Sequence, residues 1–133
     1  MSNNIAIEAL NITKKFADLT AVNQLSFVIP KGCIFGILGA NGSGKTTIFK
    51  MLSGLLQPDQ GHIMCLGLNA VSEREQVKVQ LGYMPQYFCL YKHLTVYENL
   101  DFIARIYGLK NRKQKLSEIL DLLILTDKQN QLS

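Results

Sequence analysis

One octapeptide constrains this 133-residue chain more than any other feature: Gly39-Ala40-Asn41-Gly42-Ser43-Gly44-Lys45-Thr46, which fits the pattern GxxxxGK[ST]. Its setting sharpens it. Cys33 to Leu38, just before, is a short and almost wholly apolar run, the kind that suits a strand buried on both faces of a parallel sheet. Residues 45–55, just after, carry Ile48, Phe49, Leu52 and Leu55 at helical spacing. Strand, glycine loop and helix in that order point to a phosphate-binding turn. Glycines let the backbone curl so that successive N–H groups aim at phosphate oxygens. The start of the helix adds unpaired N–H groups and the positive end of a dipole. Lys45 brings a mobile point charge suited to β- and γ-phosphates. The Thr46 hydroxyl is a hard oxygen ligand for Mg2+, and Thr47 places a further hydroxyl near the α-phosphate. Taken alone, the pattern also allows a glycine-rich turn that binds nothing.

Composition bounds the rest. Apolar residues make up 47% and charged residues 18%, which is globular and excludes dominant disorder. The length suits one domain. Lys and Arg number 14 against 10 Asp and Glu. The resulting +4 is mild: it permits an anionic partner without selecting nucleic acid over nucleotide or acidic lipid, and no nucleic-acid partner is expected. The apolar run Leu122–Leu125 is far too short to span a bilayer. Met1-Ser2-Asn3-Asn4 lacks the basic stretch and apolar core of a signal peptide. Cys33, Cys65 and Cys89 are odd in number and form no CxxC pair, so they read as reduced thiols of a cytosolic protein, not a disulfide frame or a zinc site.

Alternation at Ile5, Ile7 and Ala9 predicts a strand over residues 4–10, with a turn near Asp18 and a second strand over Leu25–Ile29, stopped by Pro30-Lys31-Gly32. Residues 57–61 read as a turn, Ile63–Leu66 as a strand, and Leu81–Met84 as a strand ended by Pro85. Ser72 and Glu75 suggest a capping box ahead of a short helix. Beyond Leu94 the pattern turns helical. Val96, Leu100, Ile103 and Tyr107 share one helical face; Leu116, Ile119, Leu120 and Leu123 share another; Gly108–Arg112 separates them. The chain is β-rich, then mixed, then helical, without internal repeats.

With those segments placed, the sequence resembles a family. Phe35-Gly36-Ile37-Leu38 leading into Gly39–Thr47 is similar to the Walker A region of ATP-binding-cassette (ABC) ATPases, as are Ser53-Gly54-Leu55 and Pro58-Asp59-Gln60-Gly61. Leu81-Gly82-Tyr83-Met84-Pro85-Gln86 resembles the family's Q-loop, and Leu94–Leu100 with Tyr107-Gly108-Leu109 continues the likeness, which runs from about Ile5 to Asp127. The second block looks most like ATPase subunits of ABC-2-type drug exporters. The resemblance implies an α/β P-loop NTPase fold of ABC-cassette type, incomplete. An N-terminal antiparallel β part and the Walker A unit would lie in residues 1–94, and the start of a helical subdomain in 95–133.

The resemblance also implies roles. Gly39, Asn41, Gly42, Ser43, Gly44, Lys45, Thr46 and Thr47 would hold ATP with Mg2+. Phe16 would stack on adenine, a contact worth about 1–3 kcal/mol, and Val22 would line the base pocket or simply pack in the core. Gln86 would reach Mg2+ and the attacking water through its neutral carbonyl oxygen. Lys45 and Gln86 are thus the catalytic candidates, Thr46 and Gln86 the metal ligands. The stretch with Tyr87, Tyr91, Lys92 and His93 falls where the family receives a short helix from a transmembrane subunit. Two such domains would pair, peripheral on the cytoplasmic face of a membrane, and drive transport, in this subfamily export.

Hydrolysis in the family also needs an apolar strand ending in a metal-binding Asp followed by Glu, a signature segment, an Asp turn and a distal His. Leu122–Asp127 imitates the first, but Thr126 intervenes, Lys128 replaces Glu, and the segment continues a helical pattern. Leu132-Ser133 could open the signature. The signature, Walker B, D-loop and H-loop are therefore expected to be absent from these residues. The chain alone is expected to be inactive and marginal as a monomer, prone to associate or rearrange. Two rivals stand beside this reading: another P-loop enzyme such as a small kinase or GTPase, which the Gln86 block and Phe16 disfavour, and a non-catalytic nucleotide-binding or interaction module.

Overall fold

The computed structural model describes residues 4–87 and 90–133; the expectations for Met1–Asn3 and Cys89 lie outside them. The chain divides into two compact units, Met1–Tyr83 and Met84–Ser133.

In the first unit, strands β1 (Ile5–Phe16) and β2 (Leu19–Pro30) form a long hairpin that turns at Ala17-Asp18. Their antiparallel register runs from Ile5↔Pro30 to Phe16↔Leu19. The other edge of β1 takes β3 (Gln60–Cys65), and β3 takes β4 (Leu68–Asn69), giving the order β2-β1-β3-β4. The hairpin is about twice as long as alternation suggested because bulges reset the period. Asn11 and Gln24 have φ of 49° and 45°, and the register shifts between Ala9 and Ile12. The bulge lets both Ala9 and Ile12 face the core at 0% exposure, although they sit an odd number of residues apart. Ser26 Oγ braces it, accepting from the Asn11 N–H at 2.8 Å and donating to Asn11 Oδ1 at 3.1 Å. Gly61 crosses at that point. A Cβ there would lie 2.4 Å from the carbonyl oxygens of Leu10 and Asn11.

Helix α1 (Lys45–Leu52) buries Ile48, Met51 and Leu52 in a core shared with Ala9, Ile12, Val22 and Ile63. Helix α2 (Arg74–Gln80) buries Val77. The expected Ser72–Glu75 capping box does not form. Glu73 is the N-cap and makes no side-chain cap bond. Its carboxylate instead accepts from the Asn69 N–H at 2.7 Å, while Asn69 Oδ1 takes the N–H groups of Val71 and Ser72. Asn69 thus takes the Ser72 N–H that Glu75 would bind in such a box.

Two expected strands are also absent. Cys33–Leu38 and Leu81–Met84 have no regular structure and no strand partner among the described residues. A strand exists only when a neighbour takes its N–H and C=O groups, and every ladder in this sheet is antiparallel and lies elsewhere. The run buries no unpaired backbone but exposes apolar side chains. Ile34 and Leu38 are 105% and 95% exposed. At about 1.5–3 kcal/mol for each fully buried aliphatic side chain, that is about 3–6 kcal/mol of unused burial, comparable to the whole stability of a small domain.

In the second unit, helices α3 (Val96–Ile106) and α4 (Arg112–Leu122) precede a 3-10 turn at Thr126–Lys128. Thr95 and Glu98 form a complete capping box on α3. Asp101 binds Arg105 at 2.7 Å, and Arg112 of α4 at 3.2 Å. Among the described residues of this unit the buried side chains are Asn99, Ala104, Leu116 and Leu120. Of the residues that periodicity grouped on two helical faces, Ile103, Tyr107, Ile119 and Leu123 are exposed. Asp127 lies in the 3-10 turn, not at a strand end. Among the described residues no helix is long and apolar enough to cross a membrane.

Candidate functional site

The octapeptide folds as a loop whose conformation only glycine satisfies at its end. Gly44, the N-cap of α1, has φ 88°, and a Cβ there would meet the Ala21 carbonyl oxygen at 2.3 Å. Gly42 also has positive φ, 82°, and Ser43 N–H closes a turn onto the Ala40 carbonyl at 3.2 Å. Strand β2 therefore fixes the loop from below, through the backbone of Ala21.

Above that support, α1 begins without a side-chain cap and without an acidic residue in its first turn. Ile48 N–H is the first to find a helical carbonyl, that of Gly44 at 2.9 Å. Among the described residues none accepts from the amides of Lys45, Thr46 and Thr47. These are donors with no internal use at the positive end of a helix dipole. Lys45 Nζ donates to the Gly39 and Ala40 carbonyls at 2.7 and 2.6 Å, which folds the ammonium back over its own loop. Neutral carbonyls are weaker acceptors than phosphate oxygens, so an anion can take those bonds over.

A cavity of about 350 Å³ opens here, lined by Val22, Ile37, Gly39, Ser43, Lys45 and Ile48 among others. Four expected site residues, Val22, Gly39, Ser43 and Lys45, therefore line one cavity. Val22 is 6% exposed within the core and also lines this cavity. Asn41, Gly42 and Thr46 are exposed on the loop and the first helical turn, with Thr47 partly covered. Phe16 sits at the end of β1, paired with Leu19 and 46% exposed, and it does not line this cavity. Gln86 is exposed in a bend and belongs to the second unit.

The structure adds a neighbour that motif reading missed. Lys14 Nζ lies 5.7 Å from the Phe16 ring centroid and donates to Asp59 Oδ1 at 2.7 Å, while Asp59 Oδ2 accepts from the Lys15 N–H at 2.7 Å. The Lys14 hydrogen bond, then the Lys15 amide, hold the Asp59 carboxyl below its ordinary 3.8. The signal was available: residues two apart on a strand share a face. Burial pushes the Cys65 thiol above its ordinary value, and Cys33 is exposed with its Sγ 3.2 Å from the Pro30 carbonyl oxygen. No cluster of three or more His, Cys, Asp or Glu among the described residues could hold a metal. A Mg2+ at the loop would rest on the Thr46 hydroxyl and on phosphate oxygens, the mixed coordination this ion favours.

Comparison with known proteins decides the family. The sequence profile described as ABC transporter matches residues 22–133. The chain belongs to the ABC transporter family. Among its ABC relatives is the probable multidrug ABC transporter ATP-binding protein YbhF of Escherichia coli, 46% identical over 108 residues, which span 81% of this chain and 19% of YbhF. The linearmycin resistance ATP-binding protein LnrL of Bacillus subtilis is 39% identical over 124 residues, 92% of this chain and 40% of LnrL. The Nod factor export ATP-binding protein I of Bradyrhizobium diazoefficiens is 40% identical over 110 residues, 83% of this chain and 36% of that protein. The chain thus spans less than half the length of these ABC relatives. A solved structure titled as the ATP binding subunit of an ABC transporter superposes with a TM-score of 0.82 at 26% identity, over 96% of this chain and 54% of that one. The fold is that of an incomplete ABC cassette.

Proposed function

We propose that this chain is the nucleotide-gripping part of an ABC ATPase subunit that powers export through a membrane-embedded partner. The observation that carries the reading is the start of α1: first-turn amides with no acceptor among the described residues, a glycine that nothing else can replace, and an ammonium held over the loop. In this reading the amides of residues 41–47 and Lys45 hold the triphosphate, Thr46 ligates Mg2+, Phe16 stacks on adenine and Val22 walls the base side. Gln86 acts on the metal and the attacking water. Residues 87–93 dock to the transmembrane subunit on the cytoplasmic face, and a second nucleotide-binding domain completes the site. The names of the multidrug, linearmycin and Nod-factor relatives support export. Electrostatic stabilisation of the transferring phosphoryl group is the chemistry that such a loop supplies.

Titration with labelled Mg·ATP tests the reading. The chain should retain ATP weakly, and Lys45→Ala should lower affinity by about ten- to a hundredfold, the loss expected for charge-assisted hydrogen bonds. Equal retention by both proteins overturns it. Hydrolysis by the chain alone should stay near background, because these residues contain no Asp-Glu pair to supply a general base for water. The exposed Ile34 and Leu38 should also make the chain associate as concentration rises. Sedimentation of a monomer at all concentrations would refute that.

A further inference from the structure

Asn99 is a polar side chain only 3% exposed, on the inner face of α3. A buried amide is costly unless its donors and acceptor are all used, and here they are. Oδ1 accepts from the Tyr91 N–H at 2.9 Å. Nδ2 lies 3.1 Å from the Tyr91 carbonyl oxygen, 3.2 Å from that of Leu94, 3.1 Å from that of Thr95, and 3.0 Å from Ser133 Oγ. An N–H only donates and a carbonyl only accepts, so the amide has one admissible orientation. A single side chain therefore holds both backbone polar groups of Tyr91.

The same place joins a second segment. Val96 and Tyr97, whose amides begin α3, donate to the carbonyls of Gln131 at 2.9 Å and Gln129 at 3.0 Å. Ser133 N–H donates to the Leu94 carbonyl at 3.2 Å, and Thr95 bridges Leu132 in antiparallel fashion. Asn99 lies at the crossing of these two strands of chain. Beside it, the Tyr91 ring meets Phe102 edge-on at 5.1 Å and stays 55% exposed, presented outward by the held backbone.

We propose that Asn99 is a positioning residue that locks residues 91–95 to residues 129–133, so that a load placed on Tyr91 reaches the 129–133 segment. The proposal rests on the reading of residues 87–93 as the docking stretch. A leucine would fill the space without desolvating an amide; only an amide can accept from the Tyr91 N–H with one atom and turn its two N–H hydrogens toward the Tyr91, Leu94 and Thr95 carbonyls and Ser133 Oγ with the other.

Hydrogen exchange on the full chain separates the two grips. Asn99→Asp keeps an acceptor for the Tyr91 N–H but loses the NH2 donors. Exchange at Val96, Tyr97 and Ser133 should rise about tenfold while Tyr91 stays protected. Asn99→Leu should release all four. The amides of β1 should not change in either variant, which serves as the folding control. Unchanged exchange at Val96 and Tyr97 in Asn99→Asp overturns the proposal, as does release of Tyr91 equal to that in Asn99→Leu. Should Asn99→Leu fail to fold, Ser133→Ala removes one acceptor alone. It should speed Ser133 exchange about threefold, and no change there counts against the lock. Tyr91→Ala tests the docking reading separately. Retained binding of a membrane subunit would sink that reading and leave the exchange pattern to judge Asn99.

Discussion

Helices α1 and α3 begin in opposite ways. The first turn of α3 is closed by its own chain: Val96 N–H goes to Gln131, Tyr97 N–H to Gln129 and Glu98 N–H to the Thr95 hydroxyl, with the Glu98 carboxylate returning to Thr95. The first turn of α1 has a left-handed glycine at its cap, a lysine folded over the loop and, among the described residues, no internal acceptor for the amides of residues 45–47. Both ends carry the same dipole and the same orphan donors. What differs is whether the protein consumes those donors itself. A helix start that is plugged stabilises the fold, and one left open is available to an anion.

The comparison breaks most readily at Gly44. Gly44→Ala forces a Cβ against the Ala21 carbonyl at positive φ and should cost about 3 kcal/mol or more in thermal melts, along with nucleotide retention. Gly108→Ala, at φ 60° in open space, should cost only about 1 kcal/mol. Equal costs would mean that the loop is not held by β2. Lys45→Ala should melt within about 1 kcal/mol of the parent, since its ammonium bonds only exposed loop carbonyls. A larger loss would make Lys45 a scaffold residue and weaken the contrast.

Thr95→Ala should remove about 1 kcal/mol by opening the capping box, and leave Mg·ATP titration unchanged. The smallest effect is one of pH. The Thr95 backbone N–H, then its hydroxyl, hold the Glu98 carboxyl below its ordinary 4.5. A carboxyl with a lowered folded value contributes stability above its unfolded value, and loses that contribution as pH falls through the folded one. Exchange at the start of α3 should therefore quicken as pH falls below about 4.5, after correction for the intrinsic rate. The start of α1, which has no such carboxylate, should show no matching step. A Glu98→Gln chain that keeps the acid-induced step would refute the assignment.

Much of the site was legible because its chemistry is local. Gly42, Gly44, Lys45 and Thr46 lie within a few residues of one another, and their spacing dictates loop, cap and helix. The Thr95–Glu98 box could have been read the same way, from T-x-x-E ahead of a helical pattern, whereas Ser72–Glu75 carries the same signal and loses to Asn69. The grips at a distance had no local signature. Asp59 reaches Lys14 across 45 positions, and Ser133 reaches Asn99 across 34.

From the sequence alone came the phosphate loop, the helix behind it, the hairpin in outline and the family likeness, because glycine placement and hydrophobic period act over a few residues. Tertiary structure alone decided that Cys33–Leu38 and Leu81–Met84 are not strands, that bulges at Asn11 and Gln24 double the hairpin, and that Asn99 faces inward. A strand needs a partner to take its hydrogen bonds, and a buried amide needs partners on every side. Whether those partners arrive is settled by the whole chain's packing, not by the residues that wait for them.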